Sequence, residues 1–143
     1  MDTIILTNNP DLEGLAPQNM RSFLINGEAS TVLTAARDRI HLGAKLLAHP
    51  MAGRLRPNET PYMTVFLAEK GSRPAAEQAP GDAWPMAEIS HEVSLELPSL
   101  EIIEYCLAEE RKYASMPKKY DDALLSDLRF ISCELAKVVL EEL

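Results

Sequence analysis

The chain opens with Thr3-Ile4-Ile5-Leu6-Thr7, apolar or β-branched throughout and closed by Asn8-Asn9-Pro10. A run without alternation, ended by turn formers, predicts a short strand buried on both faces. An irregular or helical piece reaches about Asn19. Ser22-Phe23-Leu24-Ile25, stopped by Asn26-Gly27, predicts a second short strand. Ser30 stands where an N-cap would. Behind it Val32, Leu33, Ala36, Ile40, Ala44, Leu46 and Leu47 recur at helical spacing, predicting a helix to about Ala48, which Pro50 prevents from continuing. Tyr62-Met63-Thr64-Val65-Phe66-Leu67 predicts a third, central strand. Strand, helix, strand in this order implies a right-handed βαβ crossover with parallel strands.

Residues 70–85 hold Ala, Pro and Gly with few apolar side chains and read as a mobile loop. Beyond them Ala87, Ile89, His91, Val93, Leu95 and Leu97 alternate with polar residues, the period of a half-exposed strand. A helix is the alternative, because Ile89, Val93 and Leu97 are four apart. Ser99 is placed to cap a helix to about Ser115, with Leu100, Ile103 and Leu107 facing inward. Pro117 separates it from a second helix, from about Asp121 to the end. There Leu124, Leu128, Ile131, Leu135 and Val138 step by four and three. That stripe suits packing on the sheet or on a neighbouring helix, or the seam of a homodimer. Together these elements predict a single α/β domain over residues 1–143, in two or three layers. It has a short, mostly parallel sheet of three or four strands and C-terminal helices.

Composition narrows the function. With 46% hydrophobic and 25% charged residues the chain is of the folding kind. A net charge of −8 excludes a general nucleic-acid binder and disfavours anionic membrane surfaces. Cys106 and Cys133 form no CxxC pair, so zinc and redox motifs lack support and both read as reduced, buried thiols. No basic leader and no apolar run of about 18 residues is present, which predicts a cytoplasmic protein. Walker, GxGxxG and GxSxG motifs are missing. Ser90-His91-Glu92 are consecutive, so on a strand they point to opposite faces and cannot form a relay. No metal and no cofactor is expected.

The strongest signal lies in HLGAKLLAHPMAGRLRPNETPY, residues 41–62. From residue 37 to 56, five cations (Arg37, Arg39, Lys45, Arg54, Arg56) face one acid, Asp38. The window therefore carries +4 and the remainder of the −8 chain carries −12. Segregated charge makes a field that a partner can feel. On a helix reaching Ala48, Arg37, His41 and Lys45 share one face. Arg54 and Arg56 then open a loop stiffened by Pro57 and Pro61, from which Asn58, Thr60 and Tyr62 offer amide, hydroxyl and phenol groups. His49 either caps the last helix carbonyls or serves as an acid–base or anion-binding group. Asn8, Asn9 and Asn26-Gly27 would stand at the carboxyl ends of strands, where open sheets bind ligands. The expectation is a module binding an anionic small molecule or an acidic partner surface. The alternatives are a small enzyme in which His49 or His41 moves a proton on a carboxylate or phosphate substrate, and an assembly protein acting through its C-terminal helices.

The stretches IILTNNP, ARDRIHLGAKLLAHPMAG and RPNETPY, within residues 3–68, resemble the GrdX family, small proteins encoded beside the glycine, sarcosine and betaine reductases of anaerobic bacteria. The resemblance implies a cytoplasmic accessory protein of a selenium-dependent amino-acid reductase system, with a reductase subunit as partner, and brings no catalytic residues with it. The chain departs from the family at Lys70–Pro85, where the family is more compact, and at Leu42 and Ala44, where it is more basic.

Overall fold

The first apolar run forms strand β1 (Asp2–Thr7) of a computed structural model that describes residues 2–51, 56–69, 96–116 and 119–143. A 3-10 turn at Pro10–Leu12 leads to β2 (Arg21–Leu24), followed by helix α1 (Ala29–His41), β3 (Lys45–Leu46) and β4 (Thr64–Glu69). Two helices follow, α2 (Leu97–Tyr113) and α3 (Asp122–Glu142). The mobile loop expected at 70–85 lies outside the described residues. So does the strand expected over 87–97, apart from Glu96, which is the N-cap of α2, and Leu97, which opens it.

The four strands lie in the order β2-β1-β4-β3. β1 and β2 are parallel, with Ile4 opposite Arg21; β4 runs antiparallel to β1, with Thr7 opposite Thr64. β3 is antiparallel to β4 and so runs with β1 and β2. The sheet is therefore mixed, not mostly parallel. The expected crossover exists, but its second strand is the two-residue β3. The chain then turns back, so the strand around Val65 arrives reversed.

The helix that should have reached Ala48 ends at His41, because Leu42-Gly43 closes it. Gly43 adopts φ 102°, a conformation that side-chain-bearing residues rarely take. Its N–H donates to the Ile40 carbonyl and the Ala44 N–H to the Arg39 carbonyl. This paired closure satisfies orphan carbonyls and stops a helix whatever apolar spacing lies beyond. Lys45 consequently stands on β3, not beside Arg37 and His41. Two expected caps are also displaced. Glu28, not Ser30, is the N-cap of α1, and Glu96, not Ser99, that of α2. Ser99 is buried, and its hydroxyl accepts the Leu46 N–H at 3.0 Å, tying the edge strand to α2. Asp121 does cap α3, accepting the Leu124 N–H at 2.7 Å.

Period-two alternation along β1 divides the core. Ile4 and Leu6 face Val32, Leu33, Ala36 and Ile40 of α1 and Ile103, Cys106 and Leu107 of α2. Ile5 faces the other way, with Phe66, onto Leu12 and onto Cys133 and Ala136 of α3. The result is three layers with the sheet in the middle. The expected stripe of α3 is split. Leu128 is buried, whereas Leu124, Ile131 and Val138 remain at the surface. No helix among the described residues is long and apolar enough to cross a membrane.

Cys106 and Cys133 are both buried thiols, as expected. Burial pushes the Cys133 thiol up, partly offset by the Asn9 amide, whose Nδ2 lies 3.6 Å from Sγ. A raised folded-state pKa favours the neutral thiol. Its contribution to stability is complete below the ordinary thiol range and is lost as pH rises through the folded value. Cys133 should therefore alkylate slowly at mildly alkaline pH and quickly once urea unfolds the chain. Mass spectrometry of peptides after timed iodoacetamide treatment checks this, and equal rates in the two conditions would refute it.

Candidate functional site

Two concavities meet at the carboxyl end of β1. The larger is a cleft of about 540 Å³. Its floor is Asn8 and the Gly27 turn, and one wall is the start of α1 at Ala29 and Ser30. Thr60, Pro61 and Tyr62 form another wall, and Glu110 and Arg111 of α2 close it with Tyr120 from the connection ahead of α3. The second is an apolar groove beside α3, enclosing about 60 Å³ between Leu128, Ile131 and Leu135 on the helix and His49, Pro50 and Phe66 opposite. Thr60 and Tyr62 line both.

Local chemistry builds the cleft. Gly27 has φ 153°, and a Cβ there would stand 2.9 Å from the Thr31 hydroxyl, so this turn requires glycine. Asn8 joins three segments: its amide donates to the Gly27 carbonyl at 3.1 Å and the Pro61 carbonyl at 2.9 Å, and its oxygen accepts the Met63 N–H at 2.8 Å. The loop ahead of β4 is thus fastened across the end of β1. Asn9 lies beneath, fully buried; it caps the 3-10 turn and donates to the Arg129 carbonyl at 3.1 Å. Thr60 is buried, with its hydroxyl accepting the Tyr62 N–H. The Tyr62 phenol accepts from Arg129 at 2.9 Å, and Arg129 also pairs with Asp11. These bonds raise the Arg129 pKa above its ordinary value, the Tyr62 hydrogen bond most of all, so it stays charged.

The electrostatics of the mouth come from the helix ends. α1 carries Glu28 at its N-cap without a side-chain capping bond, and its first turn contains no acid. The N–H groups of Ala29 and Ser30, which an intact α-helix leaves without internal partners, belong to residues lining the cleft. Arg111 is exposed and makes no ion pair among the described residues. Glu110, a residue 8% exposed, brings a carboxylate.

The sequence-derived candidates divide into three groups. Asn8, Thr60 and Tyr62 line the cleft, with Asn9 beneath it. His49 lies in the groove, where its Nδ1 accepts the Met51 N–H at 3.1 Å and its ring meets Tyr105 edge-on at 6.1 Å. Arg37, His41 and Lys45 lie toward the opposite end of the sheet. α1 runs back along a six-residue strand, about 20 Å long, and Lys45 pairs with Ala68 at the far end. Arg54 lies outside the described residues. Arg56 pairs with Glu59 at 3.8 Å, and the carbonyl of Asn58 accepts from Tyr120.

No single basic recess forms among the described residues. Arg37 pairs with Glu104 of α2 at 3.4 Å and Arg39 with Glu69 of β4 at 2.6 Å. The segregation of charge along the sequence is dispersed by acids arriving from distant segments. Glu110, Arg111 and Tyr120 were not anticipated. They flank the connection between the C-terminal helices, and nothing local in the sequence says at which end of the sheet that connection lies.

Comparison with curated proteins and with solved structures found no match. A family model does match, over residues 4–79, more than half of the chain and including β1 with its Asn8-Asn9 turn, all of α1, and the Asn58–Tyr62 loop that walls the cleft. The model is that of the GrdX-like proteins, and the chain belongs to that family.

Proposed function

We propose that this protein is an accessory binding protein of a glycine, sarcosine or betaine reductase system and that it holds a small carboxylate metabolite in the cleft at the end of β1. The observation that carries this reading is the start of α1, free of side-chain capping and opening onto that cleft. First-turn N–H groups and the macrodipole favour an anion, and Arg111 adds a charged donor at the same mouth. Glu110 gives the cleft an opposite pole, which favours ligands whose carboxylate is accompanied by a cationic nitrogen. Among the described residues no histidine lines the cleft, so the binding reading is preferred to acid–base catalysis by His41 or His49.

An amide-resolved NMR titration with glycine, sarcosine, betaine and acetate tests this. The Ala29 and Ser30 signals should move with glycine. Arg111→Gln should weaken binding about tenfold, and Glu110→Gln should weaken glycine more than acetate, which has no nitrogen. If all four leave Asn8, Ala29 and Ser30 unmoved, the reading is wrong. Shifts confined to Arg37, His41 and Lys45 would instead favour the basic helix face.

A further inference from the structure

The outward face of α3 is built from two rows at seven-residue spacing. Leu124, Ile131 and Val138 form one and are 41, 40 and 55% exposed. Asp127, Glu134 and Glu141 form the other, three positions on and hence about 60° around the helix. On the inner side of the apolar row the surface drops into the groove lined by Leu128, Leu135 and Val139 against His49 and Tyr62. Single exposed leucines are ordinary, but an apolar row continuous with an apolar groove marks an interaction surface.

The charges bordering the row say what fits. Arg129 is turned inward to Tyr62 and Asp11, and Lys137 is engaged with Glu134 at 2.9 Å. The apolar row is therefore edged by acid, with Lys137 offsetting Glu134 and with Asp127 and Glu141 making no ion pair among the described residues. A second copy would set one acidic row beside another, and like charges across a helical seam oppose pairing. We propose that this face docks an amphipathic helix of a partner protein, one whose apolar stripe is edged by lysine and arginine. The row from Leu124 to Val138 is about 21 Å long, so the occupant needs about four turns. With about 60 Å³ enclosed, the groove takes side-chain tips rather than a whole helix. The groove shares Tyr62 with the metabolite cleft, but the proposal rests on the α3 face and does not depend on the metabolite reading.

The probe is a pair of labelled synthetic peptides of about 18 residues sharing one leucine stripe, one edged by lysine and the other by glutamate. Fluorescence anisotropy with the full chain should show binding of the basic peptide, weakened by raising salt from about 0.05 to 0.5 M, and little binding of the acidic one. The triple variant Asp127→Asn, Glu134→Gln, Glu141→Gln alters exposed residues alone. It should melt like the parent and lose most of the preference between peptides. Ile131→Asp should weaken the basic peptide at least about tenfold. Equal binding of both peptides, or of neither, overturns the proposal. So does light scattering that reports a dimer split by Ile131→Asp, since the face would then belong to a second copy.

Discussion

Ile103→Ala should lower the stability of the chain by about 2–5 kcal/mol, the range for deleting a fully buried aliphatic side chain and leaving a cavity. Ile103 is 0% exposed and packs, from α2, into the cluster that holds Ile4, Leu6, Val65 and Leu67 of the sheet and Val32, Leu33 and Ala36 of α1. The central strands fill this layer from below and α1 from beside, so the site has little freedom to collapse. Residues matching the family model end at 79, yet the core does not. Without α2 one face of the sheet would lose Ile103, Cys106 and Leu107 together. Urea denaturation is the measurement. The midpoint should fall with an unchanged slope, whereas Glu101→Ala on the exposed side of the same helix should barely move it. A loss below about 0.5 kcal/mol for Ile103→Ala would mean that α2 is an appendage and not part of the core.

Asn8→Ala should cost about 2–4 kcal/mol, because three backbone groups lose a partner at once. The Met63 N–H matters most, since Met63 is buried and water cannot easily replace the lost acceptor. The same change unfastens the Pro61 loop from the Gly27 turn, so the cleft should lose its shape along with its stability. Hydrogen exchange separates the two effects: the Met63 amide should exchange faster in Asn8→Ala by more than the global stability loss explains. Asn8→Asp keeps an acceptor for Met63 but sets a carboxylate against the Gly27 and Pro61 carbonyls, so it should not restore the parent's stability. Unchanged Met63 exchange in Asn8→Ala would show that the side chain does not hold these segments together.

Several elements were legible because their signals are local. The Thr3–Thr7 run, the Ser22–Ile25 run, the α3 start at Asp121 and the turn after Asn26 all depend on residues within a few positions of each other. The length of α1 is not legible along the chain, because apolar spacing continues smoothly through Ala44, Leu46 and Leu47. Leu42-Gly43 nonetheless ends the helix, and the later apolar residues serve β3 and the core instead. The reversed direction of β4 follows from that shorter helix. Asn8 and Asn9 read first as a plain turn and second as residues at a ligand site; their bonds to Pro61, Met63 and Arg129, which are 53, 55 and 120 positions away, are not legible along the chain.

The sequence by itself determined β1, β2, β4 and the existence of the three helices, the two-faced burial of the central strands and the family, since these are written in residue types at short spacing. Tertiary structure alone decided which charges act. Arg37 and Arg39 look like part of a shared basic field along the chain, but folding sets Glu104 and Glu69 against them. Folding also gathered Arg111, Glu110, Tyr62 and the start of α1 around one cleft, although no pattern along the chain joins them. Electrostatic attraction depends on distance in space, and for groups 30 to 120 positions apart the sheet order, not the sequence spacing, sets that distance.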